Sequence, residues 1–123
     1  MRKYVIPGRL GGLNEYTLKC RTHYQAGAKF KKEQQQIVKN NIVVQDLTPL
    51  TPPIFVKFRW VEQNRRRDFD NIAFAKKFFF DAIQELEIIE NDNWNYVSGF
   101  EDTFDIDKEN PRIEITILEN GEF

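Results

Sequence analysis

Asp68 and Asp70 are separated by one residue, and three consecutive arginines, Arg65, Arg66 and Arg67, run directly into them. Paired carboxylates suit hard divalent cations such as magnesium, which take one or two acidic oxygens and complete their shell with water. Guanidinium groups suit phosphate. In an extended segment a spacing of two puts both carboxylates on one face. The pair alone is a weak signal: Asp105-Ile106-Asp107 has the same spacing in an acidic stretch and is assigned no role. Asp70, taken alone, reads as an N-cap for the helix that follows. Asp92 adds a third acid. If the chain returns there beside the helix start, three carboxylates converge. Two of them about 5 Å apart repel by about 3 kcal/mol at an effective dielectric near 20, so such a cluster needs a cation or a bound proton to persist. Acids holding an ion and arginines holding phosphates make metal-assisted phosphodiester hydrolysis coherent, on the condition that Asp92 approaches the other two.

The helix after Asp70 is expected over Asn71 to Glu87. Taking 100° per residue from Asp70, residues Ile72, Ala75, Phe79, Ala82, Ile83 and Leu86 form one apolar stripe for the core. Lys77 and Asp81 fall beneath Asp70 on the opposite face, and Lys76 lies on the edge of the buried stripe. Helical side chains lean toward the N-terminus, so Lys77 is the better candidate for a site at the helix start, with Lys76 the neighbouring alternative. Phe74, Phe78 and Phe80 lie off the stripe and need cover, either from a second subunit or from another helix of the same chain.

The remaining elements follow from local pattern. Tyr4-Val5-Ile6 reads as a short strand stopped by Pro7-Gly8, followed by a glycine-bearing loop that lacks the Gly-Lys-Ser/Thr of a phosphate-cradling loop. A long helix is expected from an Asn14 N-cap to roughly Lys39, weakened at Gly27. It is basic, carrying Lys19, Arg21, Lys29, Lys31, Lys32 and Lys39, either as a solvated face or as a groove wall that tracks phosphates. Ile54 to Glu62 alternates, with Ile54, Val56, Phe58 and Trp60 on one side and Lys57 and Arg59 on the other, which is a half-buried strand with a basic outer face. Trp94 to Phe100 reads as a strand, then an acidic turn over Asp102 to Asn110, then the strand Arg112 to Ile117. The order strand, helix, strand, helix, strand, strand implies a small mixed α/β sheet of about four strands with two main helices on one side.

The 123 residues allow one domain, residues 1–123, and 41% hydrophobic content supports a modest core. No apolar run approaches the ~20 residues of a membrane span. A single cysteine excludes an internal disulfide and suits a reducing compartment. With no signal-like opening, these features lead us to expect a cytoplasmic protein without a membrane partner. The net charge of −1 conceals an asymmetry. Residues 1–80 hold 16 of the 18 Lys and Arg residues but only 6 of the 19 acids. That prompts either a polyanion partner for the basic portion or two portions that pair with each other.

Taken jointly, Arg65 to Asn71 (Arg-Arg-Arg-Asp-x-Asp-Asn), the Lys77 and Asp81 pair and Asn91-Asp92 resemble the RusA-type Holliday junction resolvases. The likeness extends to Ile6-Pro7-Gly8 and to the Pro-Arg-Ile-Glu-Ile run from Pro111 to Ile115. It is closest to phage and prophage members, which tend to carry Leu-Asn-Glu-Tyr (Leu13 to Tyr16) and Gly-Ala-Lys-x-Lys-Lys-Glu (Gly27 to Glu33). The resemblance covers nearly the whole chain. It implies a homodimeric, magnesium-dependent endonuclease, with manganese as a substitute ion and no small-molecule cofactor, that cuts branched DNA and four-way junctions above all in recombination and repair. By motif, Asp68, Asp70 and Asp92 correspond to the metal-binding acids and Lys77 to the catalytic lysine, with Asp70 also at the reacting centre. Arg65, Arg66, Arg67, Lys57, Arg59, Lys76, Lys31 and Lys32 are the expected DNA contacts. The chain departs from the pattern in three places. The interval from Asp70 to Asp81 is about three residues longer than in the best-known enzyme, which keeps Lys76 in view. Asn91 replaces a further acid, and Phe69 stands where many relatives have proline.

Other features carry less. Cys20 and His23 share a helix face but have no second pair to make a zinc site. Trp94, beside Asp92, either packs or stacks on a base. A non-catalytic nucleic-acid-binding protein and a small interaction protein with charge-paired halves are the alternatives to the nuclease.

Overall fold

A computed structural model describes residues 1–123. The elements are β1 (Arg2–Pro7), α1 (Leu13–Thr22), α2 (Ala26–Val43), β2 (Ile54–Glu62), α3 (Phe69–Ala73), α4 (Lys76–Glu85), β3 (Val97–Ile106) and β4 (Arg112–Leu118). The strands form one mixed sheet in the order β1-β4-β2-β3. β1 pairs with β4 and β4 with β2 in antiparallel fashion, and β2 pairs with β3 in parallel. This is the mixed α/β architecture that the order of elements implied, and β2 spans the residues expected from its alternation.

The period of two decides which face is covered. Tyr4 and Ile6, Ile54, Val56, Phe58 and Trp60, and Ile113, Ile115 and Ile117 are all buried on one side of the sheet. The helices lie over that side. From α4, Phe79 meets the Phe58 ring edge-on with centroids 5.5 Å apart, and Phe58 in turn stacks on Trp60 at 5.4 Å. Truncating a buried phenylalanine of this kind to alanine costs about 3–5 kcal/mol. Phe78 and Phe80 are buried within the chain, and Phe74 is half-buried against Tyr16 of α1. Of the two covers expected for these off-stripe aromatics, cover within the chain is present: Phe30 of α2 and Tyr16 of α1 meet Phe78 and Phe74, while Phe80 packs on Phe58 and Phe100 of the sheet. No helix is long and apolar enough to cross a membrane.

Four features differ from the sequence expectation. The first long helix is two helices: α1 ends at His23, whose backbone is extended (φ −160°, ψ 141°), and α2 turns back against it. Gly27 makes that return possible, because a Cβ there would sit 2.4 Å from the Cys20 sulfur. The N-cap position of α1 is Gly12 rather than Asn14. The second helix is interrupted between α3 and α4, where Ala75, Lys77 and Phe78 donate to the carbonyls of Ile72, Phe74 and Ala75, three residues back, in tight turns. Finally, β3 begins at Val97 and continues through Ile106, absorbing most of the stretch read as an acidic turn. Its acids are used as strand residues: Asp105 and Glu101 pair with Arg59 and Lys57 of β2, while Asp102 accepts the Trp60 indole N–H at 2.8 Å.

These pairs belong to a wider pattern in which eight ion pairs join residues 1–80 to residues 81–123. Much of the charge asymmetry is thus consumed internally. On the open face of the sheet Arg112 and Arg59 both donate to Glu114 and hold its carboxyl below the ordinary glutamate range against a partial desolvation that raises it. Arg112 likewise holds Asp107 low. A carboxyl depressed by folding stabilises the protein above its unfolded pKa, and this contribution is lost as the pH falls through the folded value. Stability read from urea unfolding should therefore decline as the pH drops through and below the carboxylate range, and the decline should be shallower in Glu114→Gln.

Candidate functional site

β2 ends on Glu62, a buried acid that the following segment must neutralise. Arg67 does so with two parallel bonds, Nε to Oε1 and Nη2 to Oε2, each 2.9 Å, and its Nη1 donates to the Leu10 carbonyl at 3.0 Å. Both side chains are about nine-tenths buried. Arg67 is therefore a structural clamp and not a free phosphate contact. Arg65 and Arg66, in the loop that the clamp closes, are exposed and form no ion pair. The backbone N–H of Arg66 is held by Asn64 Oδ1 at 3.0 Å.

The two acids follow at once. Asp68 occupies the N-cap position of α3 with extended backbone (φ −72°, ψ 159°), yet its carboxylate makes no capping bond. Asp70 lies in the first helical turn. Their neighbours are all engaged. The Phe69 ring stacks on Phe104 with centroids 4.1 Å apart, Ile72 is buried, and Asn71 Oδ1 accepts the Asn14 backbone N–H at the start of α1 at 2.9 Å. Gly12 lies against the same asparagine, and a Cβ there would fall 2.4 Å from Asn71 Oδ1. These contacts fix the backbone on either side of each acid, while both carboxylates remain exposed and free of ion pairs.

Because the helix begins at Phe69, only Asp68 is on extended chain, and the two acids do not share the face that an extended segment would have given them. Asp68 lines a groove with Arg65, Arg67 and Asp105. Asp70 lines an adjoining one with Lys31, Lys76 and Lys77, over an apolar floor that includes Tyr16 and Phe74. Asp70 and Lys77 are thus brought to one groove. The two lysines differ in freedom. Lys76 is tied to Asp102 at 2.5 Å, lies 4.7 Å from the Phe100 ring centre, and has a side chain 16% exposed. The Lys77 side chain is 52% exposed and its one ion pair is with Asp81, at 3.2 Å, which also holds Lys31 at 3.1 Å. Lys77 can swing toward Asp70; Lys76 cannot without breaking its pair.

Asp92 is elsewhere. It sits in a turn in which Asn91 Oδ1 accepts the N–H groups of Asp92 and Asn93, at 2.7 and 3.1 Å, and its own side chain is exposed. β2 and β3 run parallel, with Ile54 opposite Val97 and Glu62 opposite Ile106. A residue that follows β2 and one that precedes β3 therefore lie at opposite ends of the ladder, about 26 Å apart along the strands. No three acids, histidines or cysteines of one chain are grouped to hold a metal. The expectation that Asp92 approaches Asp68 and Asp70 is not met within a single chain, and the parallel crossover is the reason.

The expected DNA contacts divide in the same way. Lys57 and Arg59 lie on the open sheet face and are answered by Glu101 at 3.8 Å, Asp105 at 2.8 Å and Glu114 at 3.0 Å, so that face is not a basic track. Lys32, Arg65 and Arg66 are unpaired, as are Lys19 and Arg21 on α1, which the site expectation omitted. Asp102, the Arg67–Glu62 clamp and the Asn71 contact were also missed. Only the first left a signal, since Phe100, Asp102 and Phe104 continue the alternation of β3.

The donor set at the α3 start suits a hard cation, because Asp68 and Asp70 offer only carboxylate oxygens and water can fill the remaining positions. The separation of roles has a direct test. Arg67→Ala leaves Glu62 buried without its partner and should cost about 3 kcal/mol in urea unfolding, whereas Arg66→Ala should leave stability within about 0.5 kcal/mol. No protein-family model matches the chain, and no curated protein matches it in sequence.

Proposed function

We propose that the chain is a magnesium-dependent, structure-specific endonuclease acting on branched DNA, with the four-way junction as its main substrate. The observation that carries this reading is the pair of exposed carboxylates, Asp68 and Asp70, free of ion pairs among neighbours that are otherwise engaged, with unpaired Arg65 and Arg66 before them and Lys77 on the groove of Asp70. The resemblance of Arg65 to Asn71, Lys77, Asp81 and Asp92 to the RusA-type resolvases supports the substrate class.

In this reading Asp68 and Asp70, each on its own groove at the start of α3, would supply carboxylate oxygens to a magnesium ion, and that ion would polarise the scissile phosphate toward attack by hydroxide. Arg65 and Arg66 bind the neighbouring phosphates and fix the strand in the groove. Lys77, released from Asp81, places its ammonium where negative charge develops on the phosphoryl oxygens or the departing 3′-oxygen. Manganese would substitute for magnesium on the same oxygens. Two opposed cuts need two equivalent sites, which a two-fold homodimer provides. The same symmetry relieves the isolation of Asp92, since a partner laid antiparallel along the helical layer brings Asp92 of the partner subunit toward the Asp68 and Asp70 end.

A second reading, a non-catalytic nucleic-acid-binding protein, draws on the same unpaired bases, Lys32, Arg65 and Arg66. Cleavage separates the two. The purified protein should cut a synthetic four-way junction when magnesium is added and not in excess chelator. Asp70→Asn should lose cleavage by at least about 100-fold while binding is kept or tightened, because a negative charge facing phosphate has been removed. Binding without cutting in any divalent ion would establish the second reading, and no salt-sensitive binding at all would exclude both.

A further inference from the structure

Asp81 pairs with two ammonium groups, one on each carboxylate oxygen. Lys77 of the same helix donates to Oδ1 at 3.2 Å, and Lys31 of α2 lies 3.1 Å from Oδ2. The Asp81 side chain is only 18% exposed, so without a partner its charge would be poorly solvated. The two lysines do not hold it on equal terms. Lys31 belongs to a seam between α2 and α4. Gln35 and Lys39, about one and two turns further along the same face of α2, donate to the two oxygens of Glu85 at 2.6 and 2.8 Å. Phe30, beside Lys31, is buried and meets Phe78 of α4 edge-on, which fixes the backbone of that seam. Lys77 is held by less. Its pair with Asp81 lies within one helix with the base N-terminal to the acid, the weaker order. It also stands in the first turn of α4, where the helix dipole opposes a cation. It is the more exposed of the two lysines and borders the groove that Asp70 lines.

We propose that Lys31 is the standing counter-ion of Asp81, and that it frees Lys77 to leave Asp81 for the Asp70 groove without stranding a shielded carboxylate. Two cations share one anion here, so the cluster carries one surplus positive charge. That charge resides on the side chain that can move. With Lys31 removed, Asp81 has no second base and holds Lys77 in place. Lys31 is thus a positioning residue that acts through Asp81, and not a phosphate contact. The neighbouring pair shows the contrast. Asp102 takes its second bond from the Trp60 indole and not from a second base, so departure of Lys76 would leave its charge unanswered. The use of the freed Lys77 ammonium in cleavage rests on the nuclease reading; the change of partners does not.

Lysine acylation and junction cleavage read the two parts separately. Brief exposure of the full chain to the N-hydroxysuccinimide ester of acetate, followed by peptide mapping in a mass spectrometer, reports how freely each amine sheds its proton and reacts. Lys29, 80% exposed, is the internal reference. Lys31→Ala should slow labelling of Lys77 by about 5-fold, and the double variant Lys31→Ala, Asp81→Asn should restore it. Lys76, paired with Asp102, should not change in either. In cleavage of a synthetic four-way junction with magnesium, Lys31→Ala should lower kcat by about 10-fold with KM little changed. Lys31→Arg should retain most of the activity, and the double variant should recover most of the loss. Lys31 is half-buried and its neighbour Phe30 carries the packing, so Lys31→Ala should fold, which circular dichroism verifies. Lys77 labelling that Lys31→Ala leaves unchanged, or that the double variant does not restore, would overturn the proposal whatever the cleavage. A raised KM at unchanged kcat, with no recovery in the double variant, would overturn it too and make Lys31 a phosphate contact. The expected labelling in a protein that cuts with no divalent ion keeps the change of partners and removes the nuclease reading, and cutting with Lys31-independent labelling does the reverse.

Discussion

Parallel pairing of β2 with β3 is the constraint on which the rest of the molecule depends. Two parallel neighbours cannot be joined by a tight hairpin, so the chain must cross from the end of one strand to the start of the other above the sheet. Helices α3 and α4 make that crossing and, in doing so, α4 supplies Phe79 and Phe80, which pack edge-on against Phe58. The same crossing puts Asp68 and Asp70 where the strand ends and Asp92 where the next one begins. Core formation and the dispersal of the acids are thus consequences of one topological choice.

Electrostatics then selects which charged groups are left over. An exposed carboxylate is well solvated and needs no protein partner, so freedom alone says little about Asp68 or Asp70. The context is more informative. Nearby bases that would quench such acids are committed elsewhere: Arg67 to Glu62, Lys76 to Asp102 and Lys31 to Asp81. What remains at this end is a short run in which two free arginines precede two free acids. A uniformly paired surface would have shown neither.

The sheet was legible in the sequence because its signal is periodic and local. The three isoleucines of β4 and the alternation of β2 each commit one face to the core, and a slip of one residue would expose them all. Helix interruptions were not legible, since His23 to Gln25 and Phe74-Ala75 contain no strong breaker and are set by packing, such as the approach of Cys20 to Gly27. β3 was cut short because an acidic run reads as solvent-exposed turn until the cross-strand bases that answer it are known. At the site, the residue types around Asp68, Asp70 and Lys77 could be read from spacing and helical angle. The position of Asp92 could not, because it depends on whether β2 and β3 run the same way. Nor could the fate of Arg67, whose partner Glu62 is buried only once β2 has found its place.

The hydrogen bond from the Asn14 backbone to the Asn71 side chain, with Gly12 pressed against the same group, has a mechanical effect. It rivets the first turn of α1 to the helix turn that presents Asp70, so the two flanks of the groove share one hinge point. A displacement of α1 is transmitted to the acid within a single residue, and the width of the opening and the aim of its carboxylate are geared together.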